Sequence, residues 1–366
     1  MNYSITSPSP QNKLNPTISI LKAFCIMMVV LGHCGCSIPY AMQFLGMFRM
    51  PLFFFVSGYC FKKTSLSDPK RYFSRRLKGV YWPFVKWCIV FLLLHNVFID
   101  LGLYGMDSTR YSLNDYISHA YYIVGHMLET EELIGAYWFL AALFSGSIFS
   151  WLFMKLIPRV EISALFAFIS AILMNAMGGA FLDNIVFKFI PFSYIILTAR
   201  TFEVAFLIIA GHWFADRKIK PFSWEIIILV TIITFVGSFY WKINTGLMFF
   251  NNILFIPYQL TGVLFTWCLY SLFSYWHEPN NKAYRVMTYI GKNTLSVLTW
   301  HFLTFKIVSV LIIITYRLPL SRLAEFPVIQ EYASKGWWVA YFAVAMIVCC
   351  GISYCNKWIK SSWLKL

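Results

Sequence analysis

Apolar residues fall along this chain in long unbroken runs, not in a strict alternation with polar ones. Ten runs reach or approach the length of about 20 helical residues that a bilayer span requires. They cover roughly 18–36, 43–61, 80–101, 136–157, 162–179, 190–214, 222–241, 251–274, 289–316 and 336–359. The pattern predicts an all-α fold, a polytopic integral membrane bundle of about ten transmembrane helices. Polar residues 1–17, with Ser, Pro and Asn, read as a flexible tail, and 18–366 as a single transmembrane domain. The second run contains Arg49 and Pro51, which predict a kink. The ninth is long enough to be two pieces or one strongly tilted helix. Between 101 and 135 lies the longest polar connection, with Asp107, Asp115, Glu129, Glu131 and Glu132 against one basic residue, Arg110.

Composition agrees with the pattern. The chain is 59% hydrophobic and 12% charged, where a soluble domain carries about a quarter charged residues. Such a chain cannot hide its apolar surface in one water-soluble core. The formal net charge is +15, from 30 Lys+Arg against 15 Asp+Glu. Loop cations beside an anionic leaflet explain this excess without nucleic acid. The 62–79 loop holds Lys62, Lys63, Lys70, Arg71, Arg75, Arg76 and Lys78 against Asp68. Arg217, Lys218, Lys220, Lys282, Arg285, Lys357, Lys360 and Lys365 fall on the same side if ten helices alternate. The positive-inside rule then puts both termini in the cytoplasm. Lys22 lies near the inner boundary, and His33 and Arg49 in the outer half.

The nine cysteines mostly lie in apolar runs, and Cys34-Gly35-Cys36 has no second pair at zinc spacing. No P-loop, dinucleotide fingerprint, nucleophile elbow or internal repeat is present.

The chemistry concentrates between Lys22 and Gly58. Lys22 and His33 are eleven positions apart. At about 100° per residue they share a helix face, about 16 Å apart along the axis. Ionisable groups within apolar spans are costly and mark a pathway or a reactive site.

These residues resemble a known family. Lys22, ten residues and His33 look like the Arg/Lys-x10-His signature of the membrane-bound acyltransferase-3 family. The stretch from Phe48 through Arg49, Pro51 and Ser57 to Tyr59 is similar to that family's second segment. Phe73-Ser74-Arg75-Arg76-Leu77 is similar to its basic loop, and Tyr137-Trp138-Phe139-Leu140 to the start of its fourth segment. Ile290-Gly291-Lys292-Asn293-Thr294-Leu295 with Trp300-His301 resembles its late element. The tight early loops look most like the fucose 4-O-acetylase-like branch. Arg49 departs from the pattern, since histidine is expected there at least as often. The resemblance implies about ten helices, acetyl-CoA as donor, and a carbohydrate or lipid-linked saccharide hydroxyl as acceptor. It also implies residence in a prokaryotic plasma membrane. No tightly bound cofactor or metal is expected.

Acyl transfer to a hydroxyl needs a group to take the hydroxyl proton, which suits histidine. His33 is read as that base or as an acyl relay; its bland reading is an interhelical hydrogen bond. Lys22 is a ligand for a phosphate or the thioester end of the donor, or a lysine snorkelling to the interface. Arg49 would stabilise oxyanion charge or orient the acceptor, or anchor the interface. Arg75 and Arg76 suit the phosphates of coenzyme A, or are plain positive-inside charge. Glu203 would orient His33, or pair with Arg200; Asp100, Glu129, Glu131 and Glu132 are rivals for the first role. His301, at a depth similar to that of His33, would share its cavity. Trp138 is a stacking platform for a sugar, or an interfacial aromatic. Ser57 lacks an activating motif.

Two other classes fit the pattern. A secondary transporter of a small polar or anionic solute also needs many helices with buried charges, but the paired broken segments are missing. An acyltransferase of the other large membrane type would use His301 alone.

Overall fold

The computed structural model describes residues 15–105, 108–185, 199–241, 252–276 and 278–363. Tail residues 1–14, Asp107, Lys188, Lys242 and Lys365, and the first part of the sixth predicted run, lie outside these. Among the described residues the regular structure is helical throughout, and each predicted run contains helix. Five helical stretches are long and apolar enough to cross a membrane: Pro16–His33, Ala41–Tyr59, Glu132–Leu156, Thr294–Tyr316 and Gln330–Ile359. Val160–Met174 and Trp224–Tyr240 are shorter apolar helices.

Helix α1 (Pro16–His33) begins where Asn15 caps it, accepting from the Thr17 amide at 3.0 Å, with proline at the first turn. It ends at Cys34, before Gly35 with φ +70°. The second run is broken, as its Arg49 and Pro51 predict. Helix α2 (Ala41–Gly46) stops, and α3 (Arg49–Tyr59) starts after Phe48 leaves helical geometry. Pro51 sits in the first turn of α3, where its missing N–H costs nothing. The break therefore precedes the proline and puts Arg49 at the head of a new helix.

Helix α4 (Pro69–Arg76) carries the basic loop and passes through one π-helical turn into α5 (Trp82–Leu93). The polar connection is not all loop: it holds α6 (Leu113–His126). Ser112 and Asp115 cap each other's backbone amides there, a capping box visible as S-x-x-D. Then come α7 (Trp138–Leu156), α8 (Val160–Ile185), α9 (Ala199–Asp216), α10 (Trp224–Trp241) and α11 (Asn252–Tyr275).

The long ninth run is two helices, α12 (Lys282–Lys292) and α13 (Thr294–Tyr316), separated at Asn293. The Asn293 amide donates to the Tyr289 carbonyl at 2.6 Å, and its oxygen accepts from Ser353 at 2.7 Å. A side chain bonding into the backbone ladder is what interrupts it. Helix α14 (Trp338–Trp363) packs along α13 and closes the bundle.

Helix α9 lies against α3, α7 and α8. It reaches α3 at backbone distance because Gly58 faces the Ile208 carbonyl and Gly211 the Phe55 carbonyl; a side chain at either position would collide with main chain. That contact fixes α3, and with it Arg49 and Ser57, against the bundle.

Candidate active site

The break before Arg49 sends its guanidinium back onto α1. It lies over Gly32, so closely that a Cβ there would overlap Nη1. Arg49 Nη1 is buried without a hydrogen-bond partner. The Arg49 carbonyl accepts from the Cys25 thiol at 2.8 Å, tying the helix head to α1. Among the described residues no carboxylate pairs with this arginine. A buried cation without a counter-ion is expensive, which fits a group kept for charge that arrives with a ligand.

Beside it is His33, the last residue of α1. Its ring centroid stands 5.6 Å from that of His301 and 4.9 Å from Phe302. Phe302 packs in turn on Phe326 at 4.8 Å. Among the described residues His33 makes no hydrogen bond to protein, and it lines an internal cavity. His301 is fully buried. Its Nδ1 faces the Val297 and Leu298 carbonyls at 3.1 and 3.0 Å. Both are acceptors, so Nδ1 carries the proton and Nε2 the lone pair. Nε2 has no partner. The two rings stand close together, but His301 lies behind His33 and does not line the cavity it was expected to share.

The cavity has a volume of about 670 Å³ and runs beside α1. Its wall includes His33 at the end of α1 and Arg49 at the head of α3, Ser57 and Cys60 towards the other end of α3, and Lys22, Arg76, Gly79 and Trp138. Among the described residues no acidic side chain lines it. Arg76 donates to the Ser57 hydroxyl at 3.3 and 3.4 Å and to the Tyr72 hydroxyl at 3.3 Å. Ser57 thus acts as a hydrogen-bond partner of arginine and has no adjoining base. Arg75 points to solvent and does not line the cavity.

Trp138 forms part of the wall, with the Arg200 guanidinium 4.6 Å from its ring centroid. Behind this pair Glu203, 4% exposed, accepts from the Gln259 side-chain amide. Glu203 is not brought to His33; it accepts from Gln259 and lies near enough to Arg200 to attract it. The rival acids are occupied elsewhere too. Glu129 faces Arg200, and burial pushes its carboxyl up to about 7. Glu131 binds His95 and Tyr104, and Asp100 pairs with Arg110. No acid weighed for the part of orienting His33 touches it. Sequence reasoning also passed over Gly32, whose signal is a glycine directly before the histidine, and the Tyr137 hydroxyl bonded to Thr299 at 2.6 Å.

A helical bundle enclosing a cationic cavity that ends on a histidine is suited to a membrane-embedded group-transfer enzyme. The family model described as an acyltransferase domain, of the acyltransferase-3 type, matches residues 15–358, nearly the whole chain. The protein belongs to the acyltransferase-3 family and is an acyltransferase. No curated protein and no solved structure matches the chain.

Proposed function

We propose that the protein is an integral-membrane O-acyltransferase that moves an acetyl group from acetyl-CoA to a carbohydrate hydroxyl, on a cell-surface glycan or a lipid-linked saccharide. The observation that carries this reading is the acid-free cavity that links the cations Lys22 and Arg76 to His33 and Arg49. Coenzyme A is a polyanion on a long, narrow arm. Its phosphates would lie at the Arg76 mouth, where the basic 62–79 loop adds charge. The arm would pass Lys22 and Ser57 and present the thioester to His33. The basic end faces the cytoplasm of a plasma membrane in this reading, with both termini on that side, so the donor enters from the compartment that makes it.

At the reacting end the acceptor hydroxyl gives its proton to His33 as its oxygen attacks the thioester carbonyl carbon. Negative charge develops on the carbonyl oxygen, and the unpartnered Arg49 Nη1 supplies the donor. The C–S bond then breaks. The coenzyme A thiolate takes the proton from His33, and the acetyl group remains as an ester. His301, with its lone pair directed from Nε2, is a positioning residue for the His33 side of the site. Trp138, backed by Arg200, would stack on a sugar ring.

Membrane vesicles supplied with radiolabelled acetyl-CoA on one side at a time test the proposal. Label should enter glycan or lipid-linked sugar with the wild type and not with His33→Ala, and the productive side gives the donor topology. Full incorporation by His33→Ala would overturn the mechanism. Uptake of solute without any acyl-CoA would favour the transporter class instead.

A further inference from the structure

A second recess lies apart from the His33 cavity and shares no lining residue with it. It is a groove of about 630 Å³ between α12 and α14. Its floor is apolar: Val286 and Ile290 from α12, Met346, Ile347 and Cys350 from α14. Val286 and Ile347 are 56% and 71% exposed. Its rim is cationic, with Lys282 and Arg285 on one edge. Tyr289 bridges the two helices by donating to the Cys350 carbonyl at 3.1 Å, and the Lys357 ammonium sits 5.2 Å from the Tyr289 ring centroid.

Neither Lys282 nor Arg285 has a carboxylate partner among the described residues. The nearest acid in sequence, Glu278, is taken up by Asn281 at 2.8 Å. Some cations elsewhere do find a carboxylate: Arg217 with Glu161, Arg322 with Glu325 and Glu331, and Lys335 with Glu331. Lys282 and Arg285 on the rim, with Lys357 over the Tyr289 ring, beside an apolar trough suit a ligand with an anionic head and a hydrocarbon tail.

We infer that this groove binds one anionic phospholipid of the surrounding leaflet. The phosphate lies among Lys282, Arg285 and Lys357, and one acyl chain lies over Ile290, Met346 and Ile347. On the groove side, Lys282 and Arg285 lie in the first turn of α12 and Val286 and Ile290 follow, so the cations meet the headgroup and the apolar residues the chain. Juxtamembrane cations attract anionic headgroups cumulatively. A free anion would satisfy the rim but leave the trough uncovered.

Purified protein in a neutral detergent, titrated with phosphatidylglycerol, phosphatidylcholine or inorganic phosphate, tests this by native mass spectrometry and melting temperature. Phosphatidylglycerol should be retained as one tightly held lipid and should raise the melting temperature, with phosphatidylcholine and phosphate doing neither. Lys282→Gln/Arg285→Gln/Lys357→Gln should bind it at least about tenfold more weakly. Cys350→Phe should exclude it by filling the trough without touching a charge. Lys62→Gln/Lys70→Gln/Arg71→Gln, in the other basic loop, should bind it as the wild type does. Equal retention of phosphatidylcholine, unchanged binding by both groove variants, full competition by phosphate alone, or an equal loss in the 62–79 variant would each overturn the inference.

Discussion

Two histidines in this protein, His95 buried and His33 half-buried, live by opposite rules. His95 has both ring nitrogens occupied: Nε2 donates to the Thr109 carbonyl at 3.1 Å, and Nδ1 shares a proton with Glu131 at 2.8 Å. Tyr111 stacks flat on its ring, and the Tyr104 hydroxyl donates to the same glutamate oxygen. His33 makes no hydrogen bond to protein among the described residues, opens on a cavity, and has an unpartnered arginine nitrogen and an unpartnered imidazole nitrogen for neighbours. A buried polar group without a partner costs free energy that a folded chain normally avoids. The first cluster ties together the connection between residues 95 and 131. The second tolerates that cost around a space large enough for a substrate.

Exchanging the two histidines' fates is the sharpest way to break this comparison. His33→Ala should lower acyl transfer by about 10²–10⁴-fold, the range for loss of a general base, with little change in melting temperature. His95→Ala leaves Glu131 buried without its partner. It should cost about 3–5 kcal/mol of stability, while the protein that remains folded keeps its turnover. Melting curves beside transfer assays on both variants check this. A His95→Ala protein that is stable but inactive would move the chemistry to the wrong cluster.

Arg49 comes next in size. Arg49→Ala should reduce kcat by about 10²–10³-fold, as for removal of an oxyanion donor. Gly32→Val should approach the same loss while leaving every charge in place, because a side chain at 32 occupies the position of Nη1. Steady-state kinetics on both separate a role for the arginine's position from one for its charge alone.

The mouth of the cavity should respond differently. If the donor is acetyl-CoA with its phosphates at Arg76, as proposed, Arg76→Ala should raise the Michaelis constant for it about tenfold with kcat nearly unchanged. Arg75→Ala, one residue away, should do little, since its side chain faces solvent.

That contrast marks where the sequence was legible and where it was not. Helical periodicity alone put Lys22 and His33 on one face, and both line the cavity. Arg75 and Arg76 differ by about 100° around α4, so only one of them faces inward. Choosing needs the buried side of the helix, and the available signal was Tyr72, one turn before Arg76 and hydrogen-bonded to it. The breaks at Phe48 and Asn293 follow from local chemistry in the Arg-Met-Pro and Gly-Lys-Asn-Thr stretches. The acids were not legible. Glu203, Glu129 and Glu131 are alike in sequence as carboxylates near apolar segments. Their partners Gln259, Arg200 and His95 come from other helices and loops, which only tertiary packing brings together.

Glu129 and Glu131 give the smallest and most specific test, because they are two residues apart in one loop with different surroundings. Glu131 accepts from Tyr104 and binds His95. Glu129 is buried facing Arg200, and desolvation outweighs that attraction to lift its carboxyl from 4.5 to about 7. The native state therefore keeps a proton that the unfolded chain has already released over that interval. Stability from this group must fall as pH rises from about 4.5 through 7. Below that window both states are protonated and the dependence vanishes. Melting temperatures taken across the window should decline in the wild type and decline less in Glu129→Gln, which is neutral at every pH. Parallel slopes in the two proteins would mean that the carboxylate ionises at the same pH in the native and unfolded states. The attraction of Arg200 would then offset the cost of burying Glu129.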